Sequence, residues 1–228
     1  MVRAILGITG SMAVQGPLLD WVATHRLHHQ HSDDDHDPHS PHTHGKGFWG
    51  VLKGAYYSHI GWFFRGEPKH MERYVRDLKA DAVVRWVSKL FSVWVTLGLL
   101  IPAVIALAIT GTWTGAALGF IWGGLVRVFL VHHVSWSVNS VCHLWGARPF
   151  RSHDHSRNNA IFGVLAMGEG WHNTHHAFPT SARHGLRWWE FDASYLVIRT
   201  LGLLGLATAI KVPAPDRVAA KRNTPHRH

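Results

Sequence analysis

Residues 90–126 read LFSVWVTLGLLIPAVIALAITGTWTGAALGFIWGGLV, from Leu90 to Val126. The run of about 37 residues contains no Asp, Glu, Lys or Arg, and about 20 apolar residues suffice for a helix to cross a bilayer. Near its middle, Gly111-Thr112-Trp113-Thr114-Gly115 has the composition of a tight turn. The reading is two spanning helices, about 88–109 and 116–138, in preference to the buried hairpin of a soluble protein. Pro102 should kink the first, which membrane helices tolerate. Arg127 should face the protein interior or the interface, because a guanidinium in lipid is costly.

The flanks of this hairpin orient it. Lys46, Lys53, Arg65, Lys69, Arg73, Arg76, Lys79, Arg85 and Lys89 precede it, Arg148, Arg151 and Arg157 follow it, and the turn carries no Lys or Arg. Positive flanks are retained on the cytoplasmic side, so both flanks are expected there. The same topology accounts for a net charge of +9. The cations are scattered and no nucleic-acid module is present, so nucleic acid is not an expected partner. Cys142 is the single cysteine, which excludes an internal disulfide and a cysteine-built zinc or iron–sulfur site.

Histidine is the unusual residue, with 21 in the chain. Gly168-Glu169-Gly170-Trp171-His172-Asn173-Thr174-His175-His176-Ala177-Phe178-Pro179 places three histidines at i, i+3 and i+4, on one face of a helix. His25-Arg26-Leu27-His28-His29 repeats the spacing. Asn139 and His143 add a polar pair at i, i+4 at the end of an apolar helix. Neutral imidazoles on one face form a multidentate transition-metal site. Three such groups in one chain point to a buried metal centre shared between helices, where a lone triplet reads equally well as a surface cluster.

The remaining segments arrange themselves around these motifs. Residues 4–30 read as a helix broken near Gly16-Pro17. Residues 31–47, rich in Ser, Asp, His and Pro, read as a loop leaving the metal site; alone, such a tract could bind zinc or nickel loosely. Phe48, Trp49, Tyr56, Tyr57, Trp62, Phe63 and Phe64 suit the headgroup belt of a bilayer. Glu67 to Lys89 is amphipathic at helical spacing. Residues 147–170 form a polar connector, and 193–210 an interfacial helix. One membrane domain over 1–211 and a disordered basic tail over 212–228 complete the expected organisation.

Taken together, His25-Arg26-Leu27-His28-His29 with Asp37-Pro38-His39, Ser58-His59-Ile60-Gly61-Trp62, Asn139-Ser140-Val141-Cys142-His143-Leu144-Trp145-Gly146 and Gly168 to Pro179 resemble the integral-membrane fatty acid desaturases, nearest the Δ9-type acyl-CoA and acyl-lipid branch. Order and spacing agree over roughly residues 5–210. The resemblance implies an all-α membrane enzyme with two transmembrane helices and cytosolic or interfacial helices carrying histidine motifs. It implies a non-haem centre of two iron ions, with His25, His28, His29, His143, His172, His175 and His176 as ligands and Asn139 reaching one metal through a water. Trp136 would line the acyl tunnel; His132 and His133 would be structural. The resemblance also implies two further spans and a His-Arg-x-x-x-His motif ahead of the region matching residue 4, so the expectation is an N-terminally incomplete chain. Phe63-Phe64-Arg65-Gly66-Glu67-Pro68 lacks the basic run of acyl-CoA members, which leaves the acyl carrier open between CoA and lipid.

The implied reaction removes two hydrogens from a fatty acyl chain with O₂ and two electrons. An O₂-reducing iron centre needs nitrogen or oxygen ligands and open positions, and the chain must be held in a narrow apolar tunnel. Electrons would arrive from a ferredoxin- or cytochrome-type carrier with its reductase, docked on the basic face. Two alternatives remain open: a membrane di-iron hydroxylase with the same ligands, and a non-catalytic metal-binding membrane protein.

Overall fold

The computed structural model describes residues 1–66 and 71–223. Among them there is no β-strand, only helices, turns and isolated bridges. The chain divides into two units, Met1–Leu27 with Glu67–His133, and His28–Gly66 with Val134–His228.

In the first unit, two helices are long and apolar enough to cross a membrane, Phe91–Thr110 and Trp113–Leu144, the latter running on into the second unit. Only 11 % of each apolar window is buried within the protein, whereas the core helix of a soluble protein is mostly buried. The turn between them falls at Gly111, whose φ of 65° closes the first helix, and the Thr112 side chain caps the second by accepting from Gly115 N–H at 3.0 Å. The pair packs through small residues. A Cβ on Gly119 would lie 2.5 Å from the Pro102 carbonyl oxygen, and one on Gly123 would lie 2.5 Å from Pro102 Cβ. Close backbone approach of this kind is how helices associate where water supplies no driving force. Residues Phe120–Val126 widen into a π-helical stretch, a local feature the 3.6-residue period does not signal.

Arg127 faces the protein interior, as expected. Its guanidinium donates to the carbonyls of Gly123 (2.8 Å), Met12 (3.0 Å) and Gly98 (3.1 Å). His132 Nε2 lies 3.1 and 2.9 Å from the carbonyls of Ala13 and Val14, where Val14 has a φ of 62°. Both side chains thus satisfy backbone carbonyls near the break after the helix Val2–Ser11. The break expected at Gly16-Pro17 separates that helix from Leu18–His31.

The expected continuous amphipathic helix over 67–89 is instead Met71–Val75, Arg76–Ala80 and Ala82–Lys89, with residues 67–70 outside the described residues. Asp81 is the cause: its carboxylate accepts from Val83 and Val84 N–H, so it caps a new helix rather than continuing the old one.

The second unit holds the helices Gly47–His59, Ala160–Leu165, His172–Ala177, Ala193–Leu203 and Pro215–Lys221. Its apolar cluster is small: Phe150, Ala177 and Phe178, with Leu186 and Val218 against them. Most of its other buried side chains are polar. Within the segment expected as a disordered tail, Pro215–Lys221 is helical. Arg151 N–H donates to the Lys221 carbonyl at 2.8 Å, and Lys221 Nζ donates to the Ala177 carbonyl at 2.6 Å. Residues 224–228 of that tail lie outside the described residues.

Candidate metal centre

Four of the histidines singled out by spacing converge in the second unit. His28 and His143 come from the ends of the helices Leu18–His31 and Arg127–Leu144; His172 and His176 come from the short helix His172–Ala177. All four are buried. Their Nε2 atoms face one another: His28 to His176 at 3.4 Å, His143 to His172 at 3.0 Å, and His172 to His176 at 3.0 Å.

The opposite nitrogens are held by carboxylates. His28 Nδ1 lies 3.0 Å from both oxygens of Asp37, His143 Nδ1 lies 2.9 Å from Asp33, and His176 Nδ1 lies 2.7 Å from Asp154. Each Nδ1 is therefore the N–H donor, and each Nε2 presents a lone pair inward. Burial, followed by the neighbouring imidazoles, holds His28, His172 and His176 well below the usual histidine range. They are neutral ligands at pH 7.

These residues fit a metal on two counts. Nε2 atoms converging to 3.0–3.4 Å present a ready set of imidazole donors to one cation. A metal about 2.1 Å from each imidazole nitrogen separates neighbouring nitrogens by about 3.0 Å at right angles and about 3.4 Å at the tetrahedral angle, which are the separations found. Second, the side chains of Asp33, Asp37 and Asp154 are at most 3 % exposed, and their hydrogen-bond partners include serine hydroxyls and backbone N–H groups. Buried negative charge of this kind calls for a compensating cation. For Asp33 burial alone would raise the carboxyl, but the His143 contact and the His155 N–H outweigh it and hold it far below the carboxylate range. Burial pushes Asp37 upward.

His29 and His175 lie beside this group, with Nε2 atoms 2.7 Å apart, and the ring of His184 is 4.5 Å from that of His175. His25 belongs to the first unit, one turn before His29 on the same helix, and its ring stacks on Trp21 at 5.0 Å. Asn139 sits one turn before His143 on the same helix. Trp136 is buried with its ring 5.9 Å from His59 and 5.3 Å from Phe63.

The short helix is too brief to be stable alone, and its neighbours pin it. The Trp171 indole is 2 % exposed, donates to the Phe191 carbonyl at 2.7 Å, and packs against Gly163, where a Cβ would lie 2.6 Å from the ring. The Asn158 side chain accepts from Thr174 N–H (3.0 Å) and donates to Thr174 Oγ1 (2.9 Å); Asn173 Oδ1 accepts from Phe150 N–H at 2.8 Å. With these faces fixed, His172 and His176 can point only inward.

Histidine spacing alone does not reveal the carboxylates or these amides. Asp33 and Asp37 lie in the tract read as a loop, and Asp154 in the polar connector. For Asp33 and Asp37 the available signal is short acidic residues within ten positions of a histidine triplet in a chain with few charges; Asp154, well before the second triplet, carries no such signal.

Comparison with known proteins places the chain in one family. The fatty acid desaturase family profile matches residues 1–203. A hex-5-enoyl-(acyl-carrier protein) acetylenase of Moorena producens is 42 % identical over 220 residues, 96 % of this chain and 68 % of the relative. An sn-1 stearoyl-lipid 9-desaturase of Anabaena variabilis is 41 % identical over 210 residues, covering 91 % of this chain and 70 % of the relative. An icosanoyl-CoA 5-desaturase of Limnanthes douglasii is 40 % identical over 218 residues, covering 93 % of this chain but 56 % of the relative. The chain belongs to the fatty acid desaturase family, whose named members are oxidoreductases.

Proposed function

We propose that this protein is an O₂-dependent fatty acyl desaturase, embedded in a membrane through Phe91–Thr110 and Trp113–Leu144, with its histidine motifs on the cytoplasmic side. The observation that carries the reading is the inward convergence of Nε2 from His28, His143, His172 and His176, three of them locked by a carboxylate on Nδ1. His28, His143, His172 and His176 would hold one iron; His29 and His175 would serve a second, with Asn139 acting through a water and His25 added to the ligands on the resemblance alone. Bound iron supplies the oxidising power, drawn from O₂ and two external electrons, to take two hydrogens from an unactivated methylene pair.

The chain's own side chains do the positioning. Asp33, Asp37 and Asp154 fix ring orientation and tautomer, and keep the imidazoles basic toward metal. Trp136, with His59 and Phe63, supplies a rigid aromatic wall for an acyl chain and excludes water from it. The Lys and Arg flanks suit an acidic ferredoxin- or cytochrome-type donor.

A lipid-linked or CoA-linked chain with the new bond at the ninth position is the preferred substrate and product, although relatives are named for positions 5, 7 and 9. One observation favours a second reading: the acetylenase relative suggests an acyl-carrier-protein substrate and a triple bond as product. Expression in a host deficient in unsaturated fatty acids, with gas chromatography–mass spectrometry of its lipids, tests both. A double bond at the ninth carbon without added oxygen supports the first reading, and an alkyne the second. An alcohol would make the protein a hydroxylase. Unaltered lipids from cells containing the iron-loaded protein would refute catalysis.

A further inference from the structure

Apart from the buried group, a histidine–carboxylate cluster stands on the surface of the second unit. His31 Nδ1 lies 3.0 Å from one Asp34 carboxylate oxygen, and His36 Nδ1 lies 3.7 Å from the other. The two rings are 5.3 Å apart, and the three ligand atoms lie within 4.8 Å of one another. The side chains of Asp34 and His36 are 52 % and 79 % exposed, so a metal could enter directly from solvent. The turn is already shaped: Asp34 N–H donates to the His31 carbonyl, Asp37 N–H to the Asp34 carbonyl, and His36 N–H to Asp34 Oδ1 at 2.7 Å. Little further ordering is needed to bring the three groups onto one ion.

We propose that His31, Asp34 and His36 form a second, solvent-facing site for a divalent transition metal of the zinc, cobalt or nickel class. Two imidazoles and one carboxylate, with water in the remaining positions, are a donor set for such ions and a poor one for magnesium or calcium. The ion replaces the Nδ1 protons that face Asp34. The site sits on the outer side of the turn whose inner side carries the buried carboxylates. Asp33, at φ 66°, lies between His31 and Asp34 and accepts from His143; its N–H donates to Asp37, which accepts from His28. An ion bridging residues 31, 34 and 36 would therefore staple the segment that presents both carboxylates to the buried histidines.

The test uses the purified, iron-loaded full chain in detergent and titrates it with Zn²⁺, reading zinc and iron per chain, with Co²⁺ absorption as the ligand-field signature. One zinc equivalent is expected without loss of iron. His36→Ala and Asp34→Asn, both at exposed positions where misfolding is not expected, should each weaken it by about tenfold or more. His44→Ala, in the same histidine-rich tract, should leave it unchanged. Zinc should also slow amide hydrogen exchange over residues 31–37. Unaltered zinc binding in both variants would overturn the proposal, as would loss of the equivalent in His44→Ala. Release of iron as zinc enters would place the zinc at the buried centre and overturn it as well.

Discussion

Asp154→Asn isolates what a buried carboxylate does for a histidine ligand. Asp154 Oδ2 accepts from His176 Nδ1 at 2.7 Å, and both side chains are completely buried. Asparagine keeps the volume and can keep one acceptor, but removes the charge that makes the imidazole a stronger donor to metal. Loss of such a partner costs about 10–100-fold in metal affinity, or about 1.4–2.8 kcal/mol. Asp154 also organises its own loop, where Oδ1 accepts from Ser152 Oγ (2.9 Å) and Ser156 N–H (3.0 Å). Loop damage alone would also lower affinity, so Ser156→Ala serves as control, removing a hydroxyl contact to Oδ1 while leaving the His176 contact intact.

The assay is iron retention against a graded chelator, with ligand-field spectra of the cobalt-substituted protein. Asp154→Asn should release iron at about 10–100-fold lower chelator strength and shift the cobalt bands, whereas Ser156→Ala should do neither. Equal iron retention in Asp154→Asn and the parent protein would refute the argument that Nδ1 charge sets affinity here. Equal losses in the two variants would assign the effect to the loop.

The buried imidazoles make metal-free protein acid-sensitive. His28, His172 and His176 titrate well below their unfolded value of about 6.5 in the folded state. Below pH 6.5 the unfolded chain takes up protons that the folded one refuses, so their contribution is complete above pH 6.5 and is lost as pH falls, by about 1.4 kcal/mol per unit per histidine. Asp37, pushed upward by burial, works in the opposite sense at lower pH, so the fall is read just below about pH 6.5; a Tm in detergent that does not decline there would contradict the burial argument. Gly123→Leu should force the hairpin apart at Pro102 Cβ, 2.5 Å from its new Cβ, at about 1–3 kcal/mol or more; an unchanged Tm would show that the two helices do not rely on this contact.

The sequence signals that proved most legible are those with a period. The charge-free run of 90–126 announced two helices separated at Gly111, and the i, i+3, i+4 histidines announced a shared face. Both depend only on helix geometry, which local sequence carries. The break at Asp81 was not legible, because a capping carboxylate and a solvated one look alike until the backbone around them is known. The same holds for the amides of Asn158 and Asn173: nothing in a six-residue helix states which distant loop will hold it.

The second unit carries this reasoning into its stability. Its apolar cluster of Phe150, Ala177 and Phe178 is small, while His28, Asp37, His143, Asp154, Asn158, His172, Asn173, Thr174 and His176 are all buried. Burying such groups is unfavourable unless each is paired. The amides pair with hydroxyls and backbone, the Nδ1 atoms of His28, His143 and His176 pair with carboxylates, and the Nε2 atoms of the four histidines converge on one another. A metal ion held by these imidazoles would complete the network, and its binding and the folding of this unit would then draw on the same free energy. On this view the histidines are conspicuous in the sequence because they form the unit's core as well as its chemistry.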